Sequence, residues 1–268
     1  MILRRLVENL KQQHWTAVII ELAIVVLGVY IGLQVSNWNE ARRNEANEGR
    51  YLAELAEDLR ADIAECDETV AAARGRVAAA RYLLDAAGAT PVIDAPWLKQ
   101  LSDERLSDAE LSGRALPGAE PFVSPQGVYL RRLTNTRVLD GQRNTFDELV
   151  SSGNLGVISD RALVRTLSRY YAAFEAEQDG DAINRHVQLR LFDYLADHGL
   201  NQFDLLPLDQ LDALMQTPAF RGQIKADYDL GMWQVARTLG LKKQAEGALA
   251  LITTKQKGKW RARQDSNL

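Results

Sequence analysis

Hydrophobic and polar positions follow four successive rhythms along the chain. The first regime is a continuous apolar run from His14 to Glu40, HWTAVIIELAIVVLGVYIGLQVSNWNE, in which residues 16–36 hold one charged side chain, Glu21. A helix of that length rises roughly 30 Å, the thickness of a hydrocarbon core. Trp15 and Trp38 bracket it where an indole prefers to sit, with its ring half in the apolar layer and its N–H wet. The run is too long for a signal-peptide core and no small-x-small cleavage site follows it. The pattern therefore predicts a single-pass transmembrane anchor over residues 15–38. Before it, Ile2, Leu3, Leu6, Val7 and Leu10 follow helical spacing, which predicts an amphipathic tail over 1–14 lying along the membrane surface.

The second regime is a heptad. Leu52, Leu55, Leu59, Ile63, Cys66, Val70, Ala73, Val77, Ala80 and Leu84 step by threes and fours, with one irregular step at Leu59 to Ile63. A proline-free stretch rich in alanine, glutamate and arginine carries it, so a long helix is expected over 39–87, stopping at Gly88. A stripe this long must pack on something, either inside a bundle or against a second chain as a coiled coil.

The third regime is irregular. Pro91, Pro96, Pro117, Pro121 and Pro125 lie in one stretch, five of the chain's seven prolines. That predicts a proline-rich connection over 88–144 with a short helix near Trp97–Leu101; Val128–Leu139 is the one run with ambiguous strand character. The fourth regime is helical again, over 145–256. Thr145 and Glu148 have the spacing of a capping box, with a stop at Gly153. Ser159 and Asp160 open a helix whose inner face carries Leu163, Leu167, Tyr170, Tyr171 and Phe174. Gly180 is expected to break that helix and Asp181 to restart it, with Ile183, Val187, Leu191, Tyr194 and Leu195 inward. After Thr217-Pro218 a last helical region carries Ile224, Tyr228, Val235, Leu239, Ala245 and Ile252, interrupted by Gly231, Gly240 and Gly247. A basic, disordered tail is expected over 257–268. The expected fold class is all-α: one N-terminal transmembrane helix, a long heptad-patterned helix and a C-terminal helical bundle.

Composition narrows the function classes. The 268 residues are 46% hydrophobic and 25% charged with a net charge of -4, an ordinary folded composition. No basic face in the body of the chain suits a phosphate backbone, so nucleic acid is not an expected partner. A single cysteine, Cys66, excludes an internal disulfide and a cysteine-rich zinc site. Orientation is nearly balanced: Arg4, Arg5 and Lys11 precede the anchor and Arg42, Arg43 and Arg50 follow it. The terminal amine tips the expectation toward an N-terminus inside and a periplasmic C-terminal domain.

Within the anchor, Ala17, Glu21, Gly28 and Gly32 fall on one arc at about 100° per residue, with Ser36 at its edge. Small side chains let helix backbones approach, and a carboxylate on the same face is tolerable when protonated or paired. These five residues form the expected membrane-helix contact face, although Ile24 and Val35 project from the same side.

The run ending GLQVSNWNEARR, with the later block TFDELVSSGNLGVISDRALVRTLSRYY, resembles a widespread group of uncharacterised single-pass bacterial membrane proteins. The resemblance implies a bacterial source and a short anchor carrying a helical domain. It carries over no active residues.

Candidate chemistry is thin. His14, His186 and His198 are too far apart for a local metal motif, and HExxH is absent. Glu175, Glu177, Asp179 and Gly180 echo a calcium loop whose closing acid is replaced by His186; a helix stop and restart accounts for the same residues. Ser151-Ser152-Gly153 lacks the GxSxG context of a nucleophile, and Gly153 and Gly156 lack the lysine of a phosphate loop. Lys255–Arg263 (KQKGKWRAR) would suit anionic lipid if cytoplasmic and a solvated tail otherwise. No catalytic, cofactor or metal residue is expected.

The leading expectation is a non-enzymatic membrane-anchored module that binds a protein or envelope partner. The membrane helix would meet the lipid bilayer and either a second copy of the chain or a polytopic membrane protein. The alternative is a sensory input domain signalling through a membrane partner. An enzyme built from distant residues such as Asp147, Glu148 and Arg165 ranks below both.

Overall fold

In a computed structural model of the chain, residues 15–89, 91–116, 123–124 and 126–265 are described, leaving aside the side chains of 15–18, 21, 123, 181, 259 and 261–265. The expected amphipathic tail lies outside these residues, as do the side chains of Trp15, Ala17 and Glu21. The fold is all-α. Two compact units divide it, Met1–Arg50 and Tyr51–Leu268, and the first helix, α1 (Trp15–Ala86), contributes residues to both.

In the first unit the described side chains of the apolar run on α1, from Ile19 on, point outward. Eleven aliphatic residues between Ile19 and Val35 are each more than half exposed. Trp38 is also exposed, and the Arg42 guanidinium lies over its ring at 5.5 Å.

The second unit is built on three long helices: the rest of α1, α5 (Arg161–Asp197) and α7 (Pro218–Asp265), with the short α6 (Leu208–Met215) between the last two. Nine of the ten heptad-stripe residues of α1 are buried, and Ile63 packs partly buried against them. The stripe is therefore consumed inside this chain, which decides between the two expected partners. Two apolar clusters result. One gathers Leu52, Leu55 and Leu59 with Tyr170, Tyr171, Phe174, Ala245 and Ile252. The other gathers Val77, Leu83 and Leu84 with Leu191, Phe220, Tyr228 and Val235.

The helix ends follow local chemistry. Gly88 and Gly153 take left-handed φ of 66° and 71° just past their helices, as the expected stops require. Asp160 caps α5 by accepting from the Ala162 and Leu163 amides. Pro218 opens α7, where its missing N–H costs nothing.

Several expectations need correction. Residues 88–144 form more than a connection. They hold α2 (Ala95–Leu101), near the short helix expected there, and α3 (Asp108–Leu111). They also hold two short strands, β1 (Val123–Ser124) and β2 (Gly127–Tyr129). The strand β3 (Leu205–Leu206) pairs antiparallel with β2, Val128 opposite Leu206. Leu98, Leu106, Leu111, Val128, Leu130 and Leu133 are all buried, so this segment is stitched onto the second cluster by its own leucines.

The capping box at Thr145 is absent. Helix α4 spans Asn144–Ser151 with Arg143 at its N-cap and no side-chain cap. Thr145 is buried inside it, and Glu148 accepts instead from the Tyr51 hydroxyl at 3.0 Å. The capping box that forms is Ser107–Glu110, opening α3.

Gly180 does not break α5, which runs unbroken for 37 residues. A Cβ at Gly180 would run into the Arg237 guanidinium and the Trp233 ring, so the glycine marks a close approach of α7. Beyond it the inner face turns: Ile183 is 54% exposed, whereas Asn184 and Gln188 are buried. Glycine likewise fails to interrupt α7, because Gly231 leaves room for Val77 and Arg76 and Gly240 for the Leu101 carbonyl. The basic tail is helical to Asp265 rather than disordered, and residues 266–268 lie outside the described ones.

Candidate functional site

Two features stand apart from an ordinary helical core: the outward apolar face of the first unit and a set of charged groups buried in the second. On the apolar face, Gly28, Gly32 and Ser36 all lie on α1, and Ser36 is exposed. A Cβ added at either glycine meets nothing within 4 Å, so the small-residue stripe is open. Among the described residues, α1 is the one helix long and apolar enough to cross a membrane, and none of its apolar window is buried.

Among the buried groups, Asp62 on α1 is 1% exposed. Its Oδ1 accepts from the Gln142 amide at 2.7 Å, and its Oδ2 accepts from the Tyr170 hydroxyl at 2.7 Å. One turn on, Glu65 accepts from the Asp140 amide at 2.9 Å and the Gly141 amide at 3.0 Å. Two carboxylates spaced i, i+3 thus take three successive backbone N–H groups of one loop, which leads directly into α4. Burial pushes the Asp62 carboxyl up to about 6, against the hydrogen bonds from Tyr170 and Gln142, while the charges of Glu65 and Asp58 add to the rise. Burial next to Asp62 also raises the Tyr170 hydroxyl, which stays protonated.

A second buried pair joins Arg76 to Asp227, Nε to Oδ1 at 3.8 Å. Arg76 Nη2 donates to Gln234 Oε1 at 3.2 Å, and Gln234 Nε2 donates to the Arg137 carbonyl at 2.9 Å. Burial drives the Asp227 carboxyl upward and Arg76 pulls it back. A third pair, Arg237 with Glu177 at 2.7 Å, sits where α7 meets Gly180, with Arg237 stacked over Trp233 at 4.3 Å. It lines a surface cavity of about 200 Å³ with Leu101, Ala173, Gly240 and Gln244.

Most of the residues weighed for chemistry have structural partners. Glu177 and Gly180, half of the calcium echo, belong to the Arg237 contact. Glu175 faces Arg143 at 3.9 Å. Ser151 and Ser152 donate to the Glu148 carbonyl at the end of α4. Asp147 pairs with Arg143 and Glu148 takes Tyr51, giving these two acids partners other than Arg165. His198 stacks on Tyr194 at 4.4 Å and bonds its carbonyl, while His186 is exposed. Lys255 reaches Ser159 at 2.8 Å. Among the described residues, no three His, Cys, Asp or Glu side chains are arranged to hold a metal ion. Cys66 is buried in the stripe, and burial pushes its thiol up to about 12.

Sequence reasoning missed Asp62, Arg76 and Asp227. A charged residue beside a heptad stripe reads as solvated, and the partners of these three lie 80 to 158 residues away.

An anchor-like helix continuous with a helical body is thus the class of architecture present. A family model described as "Family of unknown function (DUF6090)" matches residues 21–90, so the chain is similar to that family over most of α1 and the turn after it. No curated protein and no solved structure matches the chain.

Proposed function

We propose that this chain is a non-enzymatic, membrane-tethered helical module whose folded body engages a protein or envelope partner on the periplasmic side. One observation carries the reading: the eleven aliphatic side chains between Ile19 and Val35 all stand more than half exposed. At about 1.5 kcal/mol or more for each aliphatic side chain left in water, such a face is unfavourable by on the order of 15 kcal/mol. A bilayer removes that cost, and Trp38 then sits at the headgroup layer. The core helix of a soluble protein would have these residues buried by its own chain, which is not their state here.

Within the membrane, the open stripe of Gly28, Gly32 and Ser36 supports contact with a second copy or a polytopic membrane protein. The non-enzymatic reading is supported by how the interior spends its charge: Asp62, Arg76, Asp227, Glu177 and Arg237 face one another or the backbone.

Orientation is tested by fusing a reporter that is active only in the periplasm to the C-terminus of the full chain. Activity is the expected outcome. A signal from a cytoplasm-specific reporter at the same position would reverse the topology and place the partner inside the cell.

A further inference from the structure

We propose that the basic end of α7, Lys255–Arg263, is a contact surface through which the second unit meets anionic phospholipid headgroups. The contact rests on the apolar run being a membrane anchor, and it adds a second, electrostatic element that binds the same bilayer.

Charge is sorted along the second unit. Residues 247–264 carry Lys255, Lys257, Lys259, Arg261 and Arg263 and no acid. Residues 191–220 carry Asp193, Asp197, Asp204, Asp209 and Asp212 and neither lysine nor arginine. The antiparallel pairing of α5 and α7 puts these two segments at opposite ends. Tyr194 stacks on Phe220, Gln223 donates to the Val187 carbonyl, Arg237 pairs with Glu177, and Lys255 reaches Ser159. A helix rises about 50 Å between Phe220 and Lys255, too far for the two sets of charge to cancel.

The basic end is also the one at which the chain enters this unit. Leu52 and Leu55 share a cluster with Ala248 and Ile252, and the Tyr51 hydroxyl donates to Glu148. Trp38 precedes Tyr51 by 13 residues. Even a fully extended chain of that length tethers this end within about 45 Å of the headgroup layer. Such a tether keeps the local concentration of lipid high, so a contact that is weak alone still forms. Duplex nucleic acid would also attract these cations, but nothing tethers it here.

The surface has the chemistry that headgroups select. Lys257 is exposed and Trp260, three residues on, is 62% exposed. An indole among cations suits the headgroup layer, and each cation near an anionic surface adds attraction. Arg161 and Arg165, at the start of α5, are exposed at the same end. The acids there are largely engaged. Asp160 caps α5, its carboxyl held below the usual range by the Leu163 and Ala162 amides with Lys255 and Arg165 adding to the effect. Glu148 takes Tyr51, and α1 adds the exposed Glu57 against the exposed Arg60. Anionic lipid in the leaflet that the body faces suffices, so the contact does not itself fix the orientation.

Hydrogen exchange of the full chain in nanodiscs tests this. Discs of phosphatidylcholine alone are compared with discs containing about one-third phosphatidylglycerol. Protection over residues 255–263 is expected to rise about tenfold in the anionic discs and to fall back in high salt. Lys257→Gln with Arg261→Gln should cut the rise below about threefold. Lys225→Gln with Arg190→Gln, which remove the same charge nearer the acidic end, should leave it intact. Equal protection in the two discs would overturn the contact, as would a rise that survives Lys257→Gln with Arg261→Gln. Protection conferred by added duplex DNA and not by phosphatidylglycerol would overturn it in favour of nucleic acid. Residues 19–36 report on the anchor in the same experiment. Protection there in both discs, with exchange at 255–263 independent of lipid, sinks the contact alone; rapid exchange at 19–36 sinks the anchor and the contact with it.

Discussion

Replacing Arg76 with alanine should lower the unfolding free energy by about 3–5 kcal/mol, the largest loss expected from a single change in this chain. The guanidinium is 1% exposed and faces Asp227 at 3.8 Å, with Gln234 accepting at 3.2 Å. Removing it strands a buried carboxylate whose Oδ2 already lacks a hydrogen bond, and it orphans the Gln234 oxygen. An unpaired buried charge is far more costly than the pair is beneficial, so Arg76→Met with Asp227→Leu should recover most of the loss. The deficit of Arg76→Ala should also shrink in acid. Without Arg76 nothing counters the rise of the Asp227 carboxyl by burial, and protonation then relieves the stranded charge. Urea unfolding of the full chain in a mild detergent, at pH 8 and pH 5, measures all three quantities.

Gly141→Ala should destabilise by about 2–5 kcal/mol, adding a left-handed backbone penalty of about 1–2 to an overpacking cost of about 1–3. Gly141 has φ of 64°, its amide is held by Glu65, and an added Cβ would collide with the Phe174 ring. Phe174 is itself fixed in the aromatic cluster with Tyr170, so it cannot retreat freely. Gly153→Ala is the internal control. Its φ is 71° but a Cβ there meets nothing within 4 Å, so only the backbone penalty of about 1–2 kcal/mol applies. The same urea titrations separate the two variants.

How much of this could be read in the sequence depends on the range of the interaction. The heptad stripe from Leu52 to Leu84 was legible because burial repeats with the helical period, and nine of its ten residues are buried. Gly88, Gly153 and Asp160 were legible because helix ends are satisfied within a few residues. Gly180 misled for the opposite reason. Glycine reads as a stop, but here Arg237, 57 positions away, needs the space. The inner face of α5 misled at Ile183 because Asn184 and Gln188 are buried in its place; Gln188 donates to the Thr134 carbonyl at 3.2 Å. Asp62 was invisible as a site, since a carboxylate beside a stripe looks solvated until Tyr170 and Gln142 arrive from elsewhere in the chain. The apolar run was legible at once, because composition and length alone carry it.

That run underlies the central claim, and extraction of native membranes with alkaline carbonate tests it most directly. Carbonate strips proteins held by charge or by a partner but leaves a spanning helix in lipid. The full chain should stay in the membrane pellet after carbonate and pass into solution only with detergent. Release of the full chain by carbonate alone would contradict the account and assign the exposed face of Ile19–Val35 to a protein partner instead of the bilayer.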